Sequence, residues 1–220
     1  MGSDAAERER YSSGTRRHYQ DHHVASEYSA RLRTSTTDRV LTWLEVRAVR
    51  HALDRLPGSP WTRVVDVPAG TGKLISLLAS RSATYFALDI SPAMMSFIEL
   101  NPVRVVADAE HLPLRPATVE VVVCLRLLHR VPRQVFDAVV ADTMRTASAG
   151  CVISYAGAAR SPRAHQLLRR ILRRRPYPRH DRAPEEVARL ARAHGGHVVF
   201  DRSVSFGVTS ERVAAVACTG

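Results

Sequence analysis

The sequence predicts an α/β protein: a doubly wound, mostly parallel sheet with helices on both faces and an antiparallel last strand. Three observations carry that reading. From residue 61 onward, short β-branched runs alternate with helical patterns. One run, "TVEVVVCLRL", is almost continuously apolar, as a strand covered on both faces must be. And the first run ends in an acid followed by a glycine loop, "VVDVPAGTGKLI", at the point where such sheets bind ligands.

Residues 1 to about 36 are polar and turn-rich, with His18, His22, His23, Tyr11, Tyr19 and Tyr28. "TTDRVLTWLEVRAVRHALDRL" then has helical periodicity. Its predicted inner face is Val40, Leu41, Leu44, Ala48, His51, Ala52 and Leu56, with Thr37 or Asp38 as the N-cap. "PGSP" stops it. Next come strand "RVVDV", helix "GTGKLISLLASR", strand "TYFALDI", and helix "SPAMMSFIEL" with Pro92 in its first turn. Strands "VRVVADA" and "TVEVVVCLRL", helix "VPRQVFDAVVADTMRTA" and strand "GCVISYA" complete the alternation. After an arginine-rich stretch come helix "APEEVARLARAHGG" and two closing strands, "HVVFDRSVSF" and "ERVAAVACTG". The expected organisation is a single domain, 1–220. It comprises an N-terminal helical cap (1–56), a core (61–160), a basic cap insertion (160–183) and a closing helix and strands (184–220).

Composition narrows the classes. The 220 residues suffice for one sizeable core. No apolar run is long enough to span a membrane, and the polar start lacks the apolar stretch of a signal peptide, so a cytoplasmic protein is expected. Cys124, Cys151 and Cys218 all lie in strand-like runs and form no C-x-x-C pair, which argues for buried thiols rather than disulfides or a metal site. The net charge of +11 rests almost wholly on arginine; the chain has a single lysine, Lys73. Such a charge favours an anionic partner, or reflects arginine-rich composition alone. The stretch from Arg160 to Arg182 is either a lid for an anionic acceptor or lipid surface, or a solvated helix face; Leu167, Leu168, Ile171 and Leu172 stripe it. Few aromatics interleave its arginines, so nucleic acid is not the expected partner. His18 and His22 are spaced like a helical metal pair, but no third ligand accompanies them and no metal is expected.

The glycine loop decides between chemistries. A phosphate loop, G-x-x-x-x-G-K-[ST], fails twice: Val67 stands at its first glycine and Leu74 at its magnesium-binding hydroxyl. Lys73 then has no assigned role. A dinucleotide turn, G-x-G-x-x-G, fails at its third glycine, which is Ile75. The pattern acid-x-x-x-Gly-x-Gly remains: Asp66, Gly70 and Gly72.

Together with two stretches downstream, this pattern resembles class I S-adenosylmethionine-dependent methyltransferases, closest to the group that includes quinone-biosynthesis enzymes. "VDVPAGTG" is similar to the family's first motif, with Pro68 in place of a glycine and Ala69 in place of a common cysteine. "FALDIS" supplies the second motif's acid, Asp89. "VVADAEHLPLRPATVEVVVCLRLLHRV" is similar to the family's third stretch at Asp108, Ala109, Glu110, Leu112, Pro113, Val123, Leu128, His129 and Val131. The likeness covers roughly residues 61 to 160 and implies a Rossmann-like sheet that binds S-adenosylmethionine.

The resemblance implies roles residue by residue. Asp89 would take both ribose hydroxyls. Ile90 and Met94 would pack on adenine, and Asp108 with the Ala109 backbone would meet its amino group. Asp66 and the loop Pro68, Ala69, Gly70 and Gly72 would line the methionine end, with the Pro68 nitrogen turned away and its neighbours' backbone binding. Leu125 and Arg126 would stand beside that tail, and Tyr28 and Arg31 would cover it. The expected reaction is methyl transfer to an oxygen, nitrogen or carbon of a small molecule by in-line displacement without a metal, S-adenosylhomocysteine being the product. The setting would be small-molecule or natural-product biosynthesis, the acceptor anionic if the charge is functional, and the protein a monomer or homodimer. His129 is the candidate general base, against simple packing at a helix start. Tyr155 is the candidate to orient the acceptor, against packing in the core or at its rim. An RNA or protein methyltransferase, or a protein that binds the cofactor without methylating, stays open as an alternative.

Overall fold

The computed structural model describes residues 8, 9, 11, 14, 17–157, 180–204 and 210–219. The stripe Leu167–Leu172 and most of the basic stretch, 158–179, lie outside the described residues. Strands β1 (Trp61–Asp66), β2 (Ser82–Asp89), β3 (Val103–Val106), β4 (Val119–Cys124), β5 (Ala147–Ala156), β6 (Gly196–Ser203) and β7 (Glu211–Cys218) make one sheet. Its order is β3-β2-β1-β4-β5-β7-β6. All pairings are parallel except those of β7, which runs antiparallel to both β5 and β6.

The apolar run of β4 explains the layering. Val122 and Cys124 point into one core, Val121 and Val123 into the other, as the two-residue period of a strand requires. The first core is closed by helices α6 (Arg133–Thr146) and α7 (Pro184–Ala193), through Phe136, Val140, Val187 and Ala191. The second is closed by α3 (Thr36–Leu53) and α4 (Ile75–Ala79), through Val49, Leu53, Leu77 and Leu78. Two helices precede α3: α1 (Arg17–Gln20) and α2 (His22–Thr34). α5 is a single turn, Pro92–Met95.

Four expectations are corrected. The inner face of α3 keeps Ala48, Ala52 and Leu56 of the predicted one, with Leu44 packed against them, but Val40 and His51 are exposed, and Val49, Leu53 and the acid Glu45 are buried as well. Its N-cap is Ser35, whose side chain accepts from the Asp38 amide at 3.2 Å. β4 stops at Cys124 rather than Leu127, because Arg126 turns the chain with φ +60°, a left-handed conformation incompatible with a continuing strand. His18 and His22 fall on different helices, so they are not one helical pair.

The chain visits β1, β2 and β3 on one side and then returns to place β4 against the other edge of β1. That reversal opens a crevice between the carboxyl ends of β1 and β4, where ligands bind in open sheets of this kind. No helix among the described residues is long and apolar enough to cross a membrane.

Candidate active site

A cavity occupies that crevice. Its floor is built from strand ends: Asp66 closing β1, Asp89 closing β2, and Leu125, Arg126 and Leu127 after β4. The loop Pro68–Thr71 forms one wall with Leu74, and Met94 another. Its roof is Tyr11, Tyr19 and Tyr28, with Arg130 against Tyr19.

The loop is held by its own amides. Ala69 N–H donates to the Leu88 carbonyl at 2.8 Å, Gly70 N–H to Asp89 Oδ2 at 2.8 Å, and Gly72 N–H to the Ala69 carbonyl at 3.0 Å. These three donors are therefore engaged within the protein. What the loop offers instead is space. Gly70 has φ +54° and no atom within 4 Å of where a Cβ would stand. Gly72 has φ +79° and backs onto Ile98, at 3.1 Å from a would-be Cβ, so it serves packing and not the cavity.

Two acids face the crevice from below. The Tyr85 hydroxyl donates to Asp66 Oδ2 at 2.9 Å. Burial pushes the Asp66 carboxyl up to about 7; the Tyr85 bond and Lys73 oppose the rise, and nearby Asp89 adds to it. Asp89 is also raised by burial, against the hydrogen bonds it accepts from Ser91, Gly70 and Ile90. Its Oδ1 accepts from Ser91 N–H at 2.8 Å. Of the roughly four lone-pair sites on a carboxylate these bonds take three, so Asp89 retains about one for a ligand donor.

The third wall is an ion cluster that the sequence did not reveal. Glu45, 2% exposed on α3, meets Lys73 Nζ at 2.6 Å. Arg126 grips the same carboxylate through Nε, at 2.8 and 2.9 Å, and through a further short contact from its terminal nitrogen. Burial pushes the Glu45 carboxyl up, Glu211 adds to the rise, and Arg126 and Lys73 oppose it. Burial works against the Arg126 charge too, but Glu45 outweighs it and the guanidinium stays charged. Arg126 is fixed further by its amide, which donates to Ser154 Oγ at 2.8 Å, and it approaches the Tyr28 hydroxyl at 3.5 Å. A signal for Glu45 did exist: it is an acid inside the apolar pattern of α3, in a chain with one lysine.

The roof is pinned at separate points. Ser91 Oγ donates to the Tyr19 carbonyl at 2.7 Å. The Arg130 guanidinium lies 5.4 Å from the centre of the Tyr19 ring and donates to its hydroxyl. Arg8 bridges to the buried Glu110 at 2.8 Å.

The known proteins fit this geometry. Residues 65–154 match the family model described as a methyltransferase domain. The matched stretch, which holds the glycine loop, Asp89 and β4, is thus similar to methyltransferase domains. The whole chain is similar in structure to magnesium protoporphyrin IX methyltransferase of Synechocystis PCC 6803, solved with S-adenosylhomocysteine. That match has 17% identity and a TM-score of 0.59, over 98% of this chain and 99% of that one. It is also similar to 1,6-didemethyltoxoflavin-N1-methyltransferase of Burkholderia thailandensis, at 17% identity and TM-score 0.59, over 90% and 88% of the two chains. Phosphoethanolamine N-methyltransferase 1 of Haemonchus contortus gives 15% identity and TM-score 0.69, over 98% of this chain and 49% of that one. At such identities the likeness is one of fold. A search of curated protein sequences gave no match.

Within the methyltransferase domain, the structure sorts the expected residues. Asp66, Pro68, Ala69, Gly70, Asp89, Met94, Leu125, Arg126 and Tyr28 line the cavity together. Seven do not. Arg31 turns outward to Asp38, at 3.4 Å. Asp108 folds its carboxylate back onto the Glu110 amide at 3.0 Å, and Ala109 sits in the core. Ile90 stands half-buried beyond the lining, and Gly72 backs onto Ile98. His129 is buried in the 3₁₀ turn Leu128–Arg130, its Nε2 accepting from Arg130 Nε at 3.2 Å. Tyr155 is wholly buried on β5, its hydroxyl bonded to Asp201 and, at 3.1 Å, to Arg212. The cavity residues missed in the sequence are Tyr11, Tyr19, Thr71, Lys73, Leu74, Leu127 and Arg130, with Glu45 behind them.

Proposed function

We propose that this methyltransferase acts on a small apolar or aromatic acceptor carrying an acidic group. The observation that carries this reading is the roof: three tyrosines and Arg130 face the cavity together. Flat, amphipathic side chains with a hydroxyl tip suit a planar acceptor, and a guanidinium beside them suits its acid. Phosphoethanolamine and toxoflavin-type acceptors named for the similar structures are likewise small molecules.

The residues present fit the cofactor. S-adenosylmethionine supplies an electrophilic methyl on a positively charged sulfur. Asp89, at the end of β2 with about one acceptor site to spare, would meet the ribose hydroxyls. Met94 would pack on the adenine. The open side of Gly70 would admit the methionine portion, with Asp66 below its ammonium. Arg126 and Lys73, both held by Glu45, would be the cations that meet the cofactor's carboxylate. Glu45 is then a positioning residue that keeps both cations aimed. The N-terminal segment 1–56 is the cap over this site, within one domain spanning 1–220. His129 and Tyr155, held away from the cavity, are not assigned as base or orienting residue. Catalysis rests on proximity and the exclusion of water beneath the roof.

The test uses S-adenosylmethionine labelled in its methyl group, incubated with the protein and a panel of phenols and aromatic carboxylic acids. Label appearing in a small organic product supports the reading. Label confined to RNA or protein in a mixed extract would overturn it, as would S-adenosylhomocysteine binding without transfer to any acceptor class.

A further inference from the structure

We propose that the outer face of α3 seats this protein on an anionic lipid surface. Helix α3 segregates its charge. Its two acids, Asp38 and Glu45, are both buried and paired, with Arg31 and with Lys73 and Arg126. Its arginines Arg39, Arg47 and Arg50 are all exposed. Between them stand Val40, 53% exposed, and Trp43, 59% exposed. At the helical increment of about 100° per residue, these five side chains fall within one sector about 100° wide, and both acids lie on the far side.

The one acid on that sector, Asp54 at the helix's C-cap, is paired with Arg81 at 2.7 Å, so an apolar pair ringed by bases remains to match a surface of phosphate headgroups over acyl chains. Tryptophan settles at the headgroup level, and arginine keeps its charge in water while its stem lies along apolar surface. The Arg47 guanidinium already lies 5.7 Å from the centre of the Trp43 ring, so the base and the aromatic ring form one unit. The chain's net charge of +11 favours approach to such a surface. A single tryptophan beside a valine is a poor stacking platform for single-stranded nucleic acid, which uses successive aromatics. With no membrane-spanning helix among the described residues, the contact is interfacial.

Flotation of the full chain with vesicles tests this, using phosphatidylcholine alone and a phosphatidylglycerol–phosphatidylcholine mixture. The expected result is partitioning to the mixed vesicles only, weakened by salt. Trp43 is the reporter, since the other tryptophan, Trp61, is buried. Its fluorescence should shift to the blue and be quenched by brominated acyl chains. Replacing Arg39, Arg47 and Arg50 together by Gln should lower partitioning on the order of a hundredfold, about fivefold per charge. Trp43→Ser should lower it by roughly tenfold. Both variants should keep wild-type affinity for S-adenosylhomocysteine, because neither touches the cavity. Absence of partitioning, or equal partitioning of the wild type and both variants, would overturn the proposal. So would Trp43 becoming shielded by RNA, or by rising protein concentration, without vesicles.

Discussion

The floor and the roof of the cavity are built on different terms. The floor consists of strand ends in a sheet with a core on each face, so Asp66 and Asp89 are fixed by the packing that fixes the fold. The roof consists of side chains from the N-terminal segment, attached by a few polar contacts such as Ser91 to Tyr19 and Arg130 to Tyr19. A floor of this kind sets which cofactor is held. A roof of this kind can change without disturbing the sheet beneath it. Glu45 joins the two, because it belongs to the N-terminal helices and holds Lys73 of the loop and Arg126 after β4.

That junction should give the largest effect when broken. Glu45→Ala leaves two cations in a buried wall without their counter-charge. It should cost about 3–5 kcal/mol of stability in urea denaturation and also weaken S-adenosylhomocysteine binding. If stability is kept and only the acceptor's KM rises, Glu45 belongs to the roof alone.

Asp66 tests the floor through pH. Its folded carboxyl titrates at about 7, above its ordinary value. The native state thus binds the extra proton between roughly pH 4 and 7. The contribution of Asp66 to stability is then greatest below about pH 4 and falls as pH rises through about 7, by up to about 4 kcal/mol. Asp66→Asn should flatten that slope in thermal denaturation of the free protein. Affinity for the cofactor's ammonium should run the opposite way. It should fall by up to about tenfold per unit below about pH 7, and this dependence should vanish in the same variant.

Asp89→Ala should weaken S-adenosylhomocysteine binding by about a hundredfold in calorimetry, as expected for the loss of one or two hydrogen bonds to a carboxylate. Unchanged affinity would remove Asp89 from the ribose role. Tyr19→Ala should have the smallest effect, about 1 kcal/mol, seen as a raised KM for the acceptor with cofactor affinity nearly kept. A loss as large as that of Asp89→Ala would erase the distinction between floor and roof.

The same division governs what could be read from the sequence. β4 was legible because a strand covered on both faces must be apolar throughout, and β1 and β2 because their inner halves are apolar runs that Asp66 and Asp89 end. α3 was legible as a helix but not in its rotation. Ala48, Ala52 and Leu56 lie in the core as expected, but Glu45 is buried among them while Val40 faces outward, so hydrophobicity alone misplaced the edges of the stripe. The roof was least legible. α1 and α2 are polar helices whose tyrosines reach the cavity through tertiary contacts, and no local periodicity encodes a contact to a residue such as Arg130, more than a hundred positions away. His129 and Tyr155 were in the right stretches of chain but packed into the protein rather than the cavity. A strand end offers both destinations, and the sequence does not mark which one a side chain takes.

Lys73 gives the molecule one more property. It carries the only lysine amine in the chain, held at 2.6 Å from Glu45 with a side chain 11% exposed. An amine-selective acylating reagent therefore meets a single ε-amino group, and that group sits in the cavity wall. The rate at which Lys73 is acylated becomes a clock for the opening of the wall, readable by mass without any engineered label. A ligand that seals the cavity should slow that clock.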